Sequence, residues 1–115
     1  MSTLYGIKNC DTVRKARKWL DENGIDYRFH DLRDAGLDEA KLRIWIDALG
    51  HEALLNKRST SWRKLPDGDK TNLDEGKAMR LMLAQPTLVK RPVLEHGGAV
   101  HCGFSDARYR EIFRI

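Results

Sequence analysis

Within its first thirty or so residues the chain changes hydrophobic period twice. Leu4, Tyr5 and Ile7 read as a short buried strand, Lys8-Asn9-Cys10-Asp11 interrupts it, and Val13, Ala16, Trp19 and Leu20 then recur at helical spacing. Asp11 or Thr12 is the expected cap of that helix and Asn23-Gly24 its stop. Ile25 to Asp31, bounded by Gly24 and by Asp34-Ala35-Gly36, reads as a second strand. Strand, helix and strand in so short a span form a βαβ unit, which requires parallel strands and a right-handed crossover. Cys10 sits where the first strand hands over to the helix. Unpaired backbone N–H groups of a first helical turn point at such a residue, and the helix dipole favours a thiolate over a thiol. An inert, buried cysteine is the alternative, and the polar and charged neighbours on both sides count against it.

Beyond the second strand, Leu42, Trp45, Ile46 and Leu49 mark a helix over about 38–49 that stops at Gly50, with Trp45 read as core. A helical turn at 52–55 precedes Asn56-Lys57-Arg58-Ser59-Thr60-Ser61-Trp62-Arg63, read as a polar, basic loop with an aromatic anchor. After Pro66-Asp67-Gly68-Asp69 a further helix is expected over 73–84, with Asn72 and Glu75 at capping-box spacing and Met79 and Met82 filling core gaps. A last turn at 87–89 leads to a hairpin, 93–95 and 99–102, whose turn His96-Gly97-Gly98 uses glycine for positive φ. Ser105 is the expected cap of a final helix over 106–113 that packs Tyr109, Ile112 and Phe113 on the sheet. The order βαβ, helices, ββα predicts a four-stranded mixed sheet with helices on its faces.

Composition narrows the class. At 115 residues the chain can bury a core as one domain without staples. Its 41% hydrophobic and 33% charged residues are those of a globular protein, and no apolar run nears the roughly 18 residues a membrane span needs. Without the charged and apolar regions of a secretory signal, the cytoplasm is the expected compartment and no membrane partner is expected. There the pair Cys10 and Cys102 points to a reactive or buried thiol rather than a structural disulfide. A net charge of +4 leaves room for an anionic partner, but Arg14-Lys15-Arg17-Lys18 with Asp21 and Glu22 reads as a solvated helix face, and no nucleic-acid motif is present. His30, His51, His96 and His101 have no metal-ligand spacing with the cysteines, so neither a metal nor an organic cofactor is implied.

A cysteine between a first strand and a helix, the βαβ…ββα order, and Pro92 just before the third strand together resemble the thioredoxin superfamily. If the third strand lies antiparallel beside the first, its start adjoins the end of the first, and Arg91-Pro92 meets Cys10. The resemblance implies a cis bond before Pro92, an isomer that X-Pro bonds alone adopt at small cost. More specifically, YGIKNCDTVRKA, NKRSTSWRKL and KRPVL followed by HCGFSD are similar to the ArsC/Spx family. That family holds the glutaredoxin-coupled arsenate reductases, the Spx-like regulators, and a YffB-type branch regarded as glutathione-dependent thiol reductases. The resemblance covers the whole chain. It implies a thioredoxin-like (glutaredoxin-like) α/β fold, a four-stranded mixed sheet flanked by helices, in a single domain of residues 1–115 with a helical insertion at about 36–89 between the second and third strands.

The same resemblance implies that Cys10 is the nucleophile and that Arg58 and Arg91 bind an oxyanion and stabilise the thiolate; Lys8 and Asn9 next to the thiol, Arg14 one helical turn on, which can help by its charge, and Pro92 are the expected substrate-binding residues. Electrostatics make a matching demand. A helix terminus supplies typically about 0.3–1 kcal/mol, whereas a guanidinium about 4 Å from the sulfur supplies up to ~4 kcal/mol at an effective dielectric of ~20, before desolvation. Two departures sharpen the reading. Arsenate reductases carry a third anion-binding arginine just after the fourth strand, where this chain has Gly103, and Spx-like switches carry Cys-x-x-Cys, where this chain has Val13. Cys102, which ends a strand antiparallel to the third at the same end of the sheet as Cys10, is the remaining candidate resolving thiol; if the residue after it faces the site, strand alternation turns it to the opposite side, and a buried structural role is the favoured reading. A lone thiol forms mixed disulfides that an outside thiol must resolve, and glutathione fits because its carboxylates can pair with Arg58, Arg91 or Lys8. The expectation is a glutathione-dependent thiol oxidoreductase acting on an oxidised thiol or an oxyanion such as arsenate, with glutaredoxin as a further implied partner. The alternative is a Spx-like regulatory protein that binds RNA polymerase.

Overall fold

The computed structural model describes all 115 residues, which form two compact units: Met1–Ala35 with Arg91–Ile115, and Gly36–Lys90. The first unit contains β1 (Ser2–Gly6), α1 (Asp11–Glu22), β2 (Tyr27–Asp31), β3 (Val93–His96), β4 (Ala99–Cys102) and α7 (Asp106–Phe113). Its strands form one sheet in the order β2-β1-β3-β4. β1 and β2 are parallel, with Ser2 opposite Tyr27 and Gly6 opposite Asp31. β3 runs antiparallel to β1, with Tyr5 opposite Val93, and β4 antiparallel to β3, with Val93 opposite Cys102. This is the thioredoxin-like mixed sheet that the element order predicts.

Alternation along β1 and β3 sends Leu4 and Leu94 to one face, where they join Ala16, Trp19 and Leu20 of α1 and Tyr109 of α7 in a buried cluster. Ile112 and Phe113 pack against it, Trp19 meets the Tyr109 ring edge-on at 5.5 Å, and the Trp19 indole N–H donates to Asp106 at 2.7 Å. Each fully buried leucine of this kind contributes roughly 1.5–3 kcal/mol. The hairpin turn is shorter than expected, because His96 pairs with Ala99 and leaves Gly97 and Gly98, both at positive φ, as the two-residue loop.

The second unit holds α2 (Glu39–Leu49), the short turns α3 (His51–Leu54), α4 (Thr60–Arg63) and α5 (Asp67–Lys70), then α6 (Glu75–Ala84) and a 3-10 turn, Pro86–Leu88. α2 packs on α6. Leu42, Trp45 and Ile46 of the one and Ala78, Met79 and Met82 of the other are buried, so Trp45 and both methionines are core residues. Gly50, at φ 83°, ends α2. Two local expectations are corrected. The segment read as loop contains the helical turn α4, because the Ser59 hydroxyl accepts from the Trp62 N–H. The cap of α6 is Asp74, whose carboxylate accepts from the Lys77 N–H at 2.8 Å, while Asn72 lies outside the helix at φ 51°. No helix in the protein is long and apolar enough to cross a membrane.

Candidate active site

Cys10 is itself the N-cap residue of α1, in extended conformation at φ −99° and ψ 123°, which displaces Asp11 and Thr12 from that role. Its carbonyl accepts from the Arg14 N–H at 3.0 Å, so the helix begins on it, yet its side chain makes no capping hydrogen bond. Its own N–H donates to the Ile7 carbonyl at 3.2 Å and closes a tight turn through the exposed Lys8 and Asn9. The thiol is half-buried and neither cysteine is in a disulfide. Asp11, the first helical residue, does not cap: its carboxylate pairs with the Arg14 guanidinium at 2.6 Å on an exposed face. Arg14 therefore carries its charge already partnered.

Strand pairing supplies the other side of the site. Continuing the β1–β3 register past Tyr5 and Val93 sets Pro92 alongside Gly6 and Arg91 alongside Ile7, at the mouth of the Cys10 turn. The Arg91–Pro92 peptide bond is cis, as the family resemblance implies; Pro92 is buried and Arg91 half-buried. The Pro92 carbonyl accepts from the N–H of Gly103 at 2.8 Å, and Gly103 lies at φ 82°. Cys102 shares the face of Val93 and Tyr5, opposite to the face that packs on α1, so alternation does turn it away; it is half-buried rather than fully buried.

Arg58 belongs to the second unit. It is exposed, its backbone N–H donates to Asn56 Oδ1 at 3.1 Å, and it lines an open cleft with the basic residues Lys57 and Lys90 and the acidic Glu52.

Two residues of this region went unread in the sequence. A Cβ on Gly6 would lie 2.7 Å and 2.9 Å from the two Val13 methyl carbons, so only glycine lets the end of β1 approach α1 this closely. Asp31, at the end of β2, is 8% exposed and its carboxylate accepts three backbone N–H groups: Arg33 at 2.8 Å and Asp34 at 3.2 Å through Oδ1, and Lys8 at 3.3 Å through Oδ2. Burial works to raise its pKa, but these three bonds and the charge of Lys8 prevail and hold it below the usual carboxylate value. The Lys8 ammonium pairs with Asp34 at 3.4 Å in full view of solvent. A glycine ending a strand and an aspartate ending its neighbour were the available signals, although neither identifies its distant contact.

A lone thiol that begins the first helix of a thioredoxin-like sheet, with a cis-proline just before the adjoining strand, is the arrangement that the resemblance to the thioredoxin superfamily implies. The family can be named more closely: the ArsC family model matches residues 5–112, and the chain belongs to the ArsC family. The solved structure of a YffB protein is 48% identical, with a TM-score of 0.94 over 97% of this chain and 98% of that one. An arsenate reductase (ArsC) related protein from Brucella melitensis is 49% identical, with a TM-score of 0.79 over 99% of this chain and 95% of its own. The global transcriptional regulator Spx of Listeria innocua is 29% identical over 112 residues, 96% of this chain and 85% of the regulator.

Proposed function

We propose that the protein is a monothiol oxidoreductase whose Cys10 is the nucleophile and whose reductant is glutathione. The observation that carries the reading is Cys10 at the start of α1 without a side-chain cap, with no second thiol in its motif. The fourth motif position, Val13, is fully buried and turned toward Gly6, and Cys102 lies on the other face of the sheet. A helix N-terminus favours an anionic sulfur. On a mixed disulfide of glutathione with a second thiol, the Cys10 thiolate attacks the glutathione sulfur. A new S–S bond to Cys10 forms, the old one breaks, and the departing thiolate takes up a proton. A second glutathione thiolate then attacks this adduct, which yields oxidised glutathione and restores the Cys10 thiolate.

Anionic groups of the substrate or of glutathione pair with Arg91 and, through the family motif that contains it, Arg58; Lys8 and Asn9 flank the thiol on its own turn, with Arg14 one helical turn on. The ArsC relatives bring arsenate into consideration as a substrate. Gly103 at the position of their third arginine favours a disulfide over arsenate here. The Spx relative supports a second reading, in which the chain is a regulator that binds RNA polymerase.

Mass spectrometry after incubation with a glutathione mixed disulfide tests the enzyme. One glutathionyl group is expected on Cys10, removable by excess glutathione. No adduct on Cys10 and no glutathione-dependent turnover, together with co-purification of RNA polymerase, would reverse the ranking of the two readings.

A further inference from the structure

Backbone pairing between β1 and β2 ends at Gly6 and Asp31, with one further bond from the Leu32 N–H to the Gly6 carbonyl at 2.8 Å. The turn that carries Cys10 begins just beyond that point. It has its own 3.2 Å bond from Cys10 N–H to Ile7 and one tie to the neighbouring strand, the 3.3 Å bond from Lys8 N–H to Asp31 Oδ2. Asp31 divides its oxygens between two tasks. Oδ1 accepts from Arg33 and Asp34 and shapes the chain as it leaves β2, while the Asp31 carbonyl accepts from Ala35. Oδ2 reaches 23 residues back along the sequence to the Cys10 turn. A carboxylate at 8% exposure carries a desolvation penalty, and one that served only the exit turn would satisfy both bonds through a single oxygen.

We infer that Asp31 is a positioning residue for Cys10: its second carboxylate oxygen extends the β1–β2 ladder by one side-chain bond and holds the Lys8-Asn9 turn so that the thiol stays at the start of α1. The inference rests on the proposed role of Cys10 as nucleophile. Its readouts need no glutathione, however, so the two can fail separately.

The chemistry of asparagine isolates the second bond. In Asp31→Asn, the amide oxygen can still accept from Arg33 and Asp34, but the amide nitrogen, a donor, then faces the Lys8 N–H. The exit turn survives and the tie to Cys10 is lost. A hydrogen bond to a charged acceptor protects its donor from exchange, so hydrogen exchange at the Lys8 amide should quicken by about tenfold. The amides of Arg33 and Asp34, and of Leu4 in the middle of β1, should keep their protection. Alkylation of Cys10 by iodoacetamide, followed by peptide mass spectrometry, should slow several-fold in the same variant. Asp34→Ala, which removes the surface partner of the Lys8 ammonium and leaves the backbone bond, should change neither reading. An Asp31→Asn protein whose Lys8 amide and Cys10 alkylation match wild type would overturn the inference. So would loss of protection at Arg33 and Asp34 with Cys10 unaffected, which would make the carboxylate a turn-former alone. The parent reading fails instead if wild-type Cys10 takes no glutathionyl group while the alkylation difference persists.

Discussion

The start of α1 and the starts of α2, α6 and α7 solve the same problem differently. At α2, α6 and α7 a side-chain oxygen accepts a first-turn N–H: Asp38 from Lys41 at 2.7 Å, Asp74 from Lys77 at 2.8 Å and Ser105 from Arg108 at 3.1 Å. At α1 the cap position holds Cys10, and its side chain makes no such bond. Where a helix merely has to begin, a local cap worth about 1 kcal/mol suffices. Where Cys10 stands at the helix start the side-chain cap is missing, and residues of other elements pack or bond around that start. Gly6 admits Val13 from one side and Asp31 ties Lys8 from another. The difference separates helix starts closed by a local side-chain bond from one whose neighbours on other elements fix its surroundings.

The sharpest way to break this contrast is Cys10→Ser. Serine is a good N-cap, so thiol-dependent turnover should vanish while the melting temperature holds or rises, read by a coupled glutathione assay beside calorimetry. A large loss of stability with the activity intact would invert the argument. Next in size is Gly6→Ala. Overpacking against the Val13 methyls should destabilise the fold by about 1–3 kcal/mol in urea titration. The penalty should shrink when Val13→Ala is added, whereas additive effects would show that the close approach is not the cause.

Removing a local cap should do less. Asp74→Ala or Ser105→Ala is expected to lower stability by about 1 kcal/mol each without altering the reactivity of Cys10, as measured by alkylation. The smallest effect is a pH dependence. Because Asp31 has its pKa lowered in the folded state, it adds stability above the unfolded carboxylate value near ~3.9, and that stability is lost as pH falls through the folded value. Asp31→Asn should therefore lose less stability than wild type across this acidic window; parallel acid-unfolding curves would remove Asp31 from the account.

Most elements were legible because their causes are local. Apolar spacing marked α1 and α2, a turn signal and capping-box spacing marked α6, and Ser105 marked α7 at its observed limits, Asp106–Phe113. Gly97-Gly98 marked the hairpin. The misreadings were also local, and came from choosing between adjacent candidates. Asp11, Thr12 and Cys10 all precede a helical run, and backbone geometry selects the last; Asn72 and Asp74 both precede another, and Asp74 is selected. Serine-rich 59–61 looked like loop, though Ser59 opens a turn of helix. The motif words give Lys8, Asn9, Cys10, Arg14, Arg58, Arg91 and Pro92 as expected site residues; Asp31 lies outside them, and Gly6, although inside YGIKNCDTVRKA, carries no sign there of its contact with Val13 on another element.

By itself, then, the sequence determined the βαβ opening, a lone thiol at a helix start, a cis-proline expectation and membership of a family. The first two follow from residue order over a few turns of chain, and the last two from the resemblance that the short motifs carry. Only the tertiary structure decided that Asp31 reaches the Cys10 turn and that β1 and α1 meet at Gly6 and Val13. Those contacts depend on strand register, and a register exists only once segments far apart in the chain have paired and their apolar faces have closed on one core.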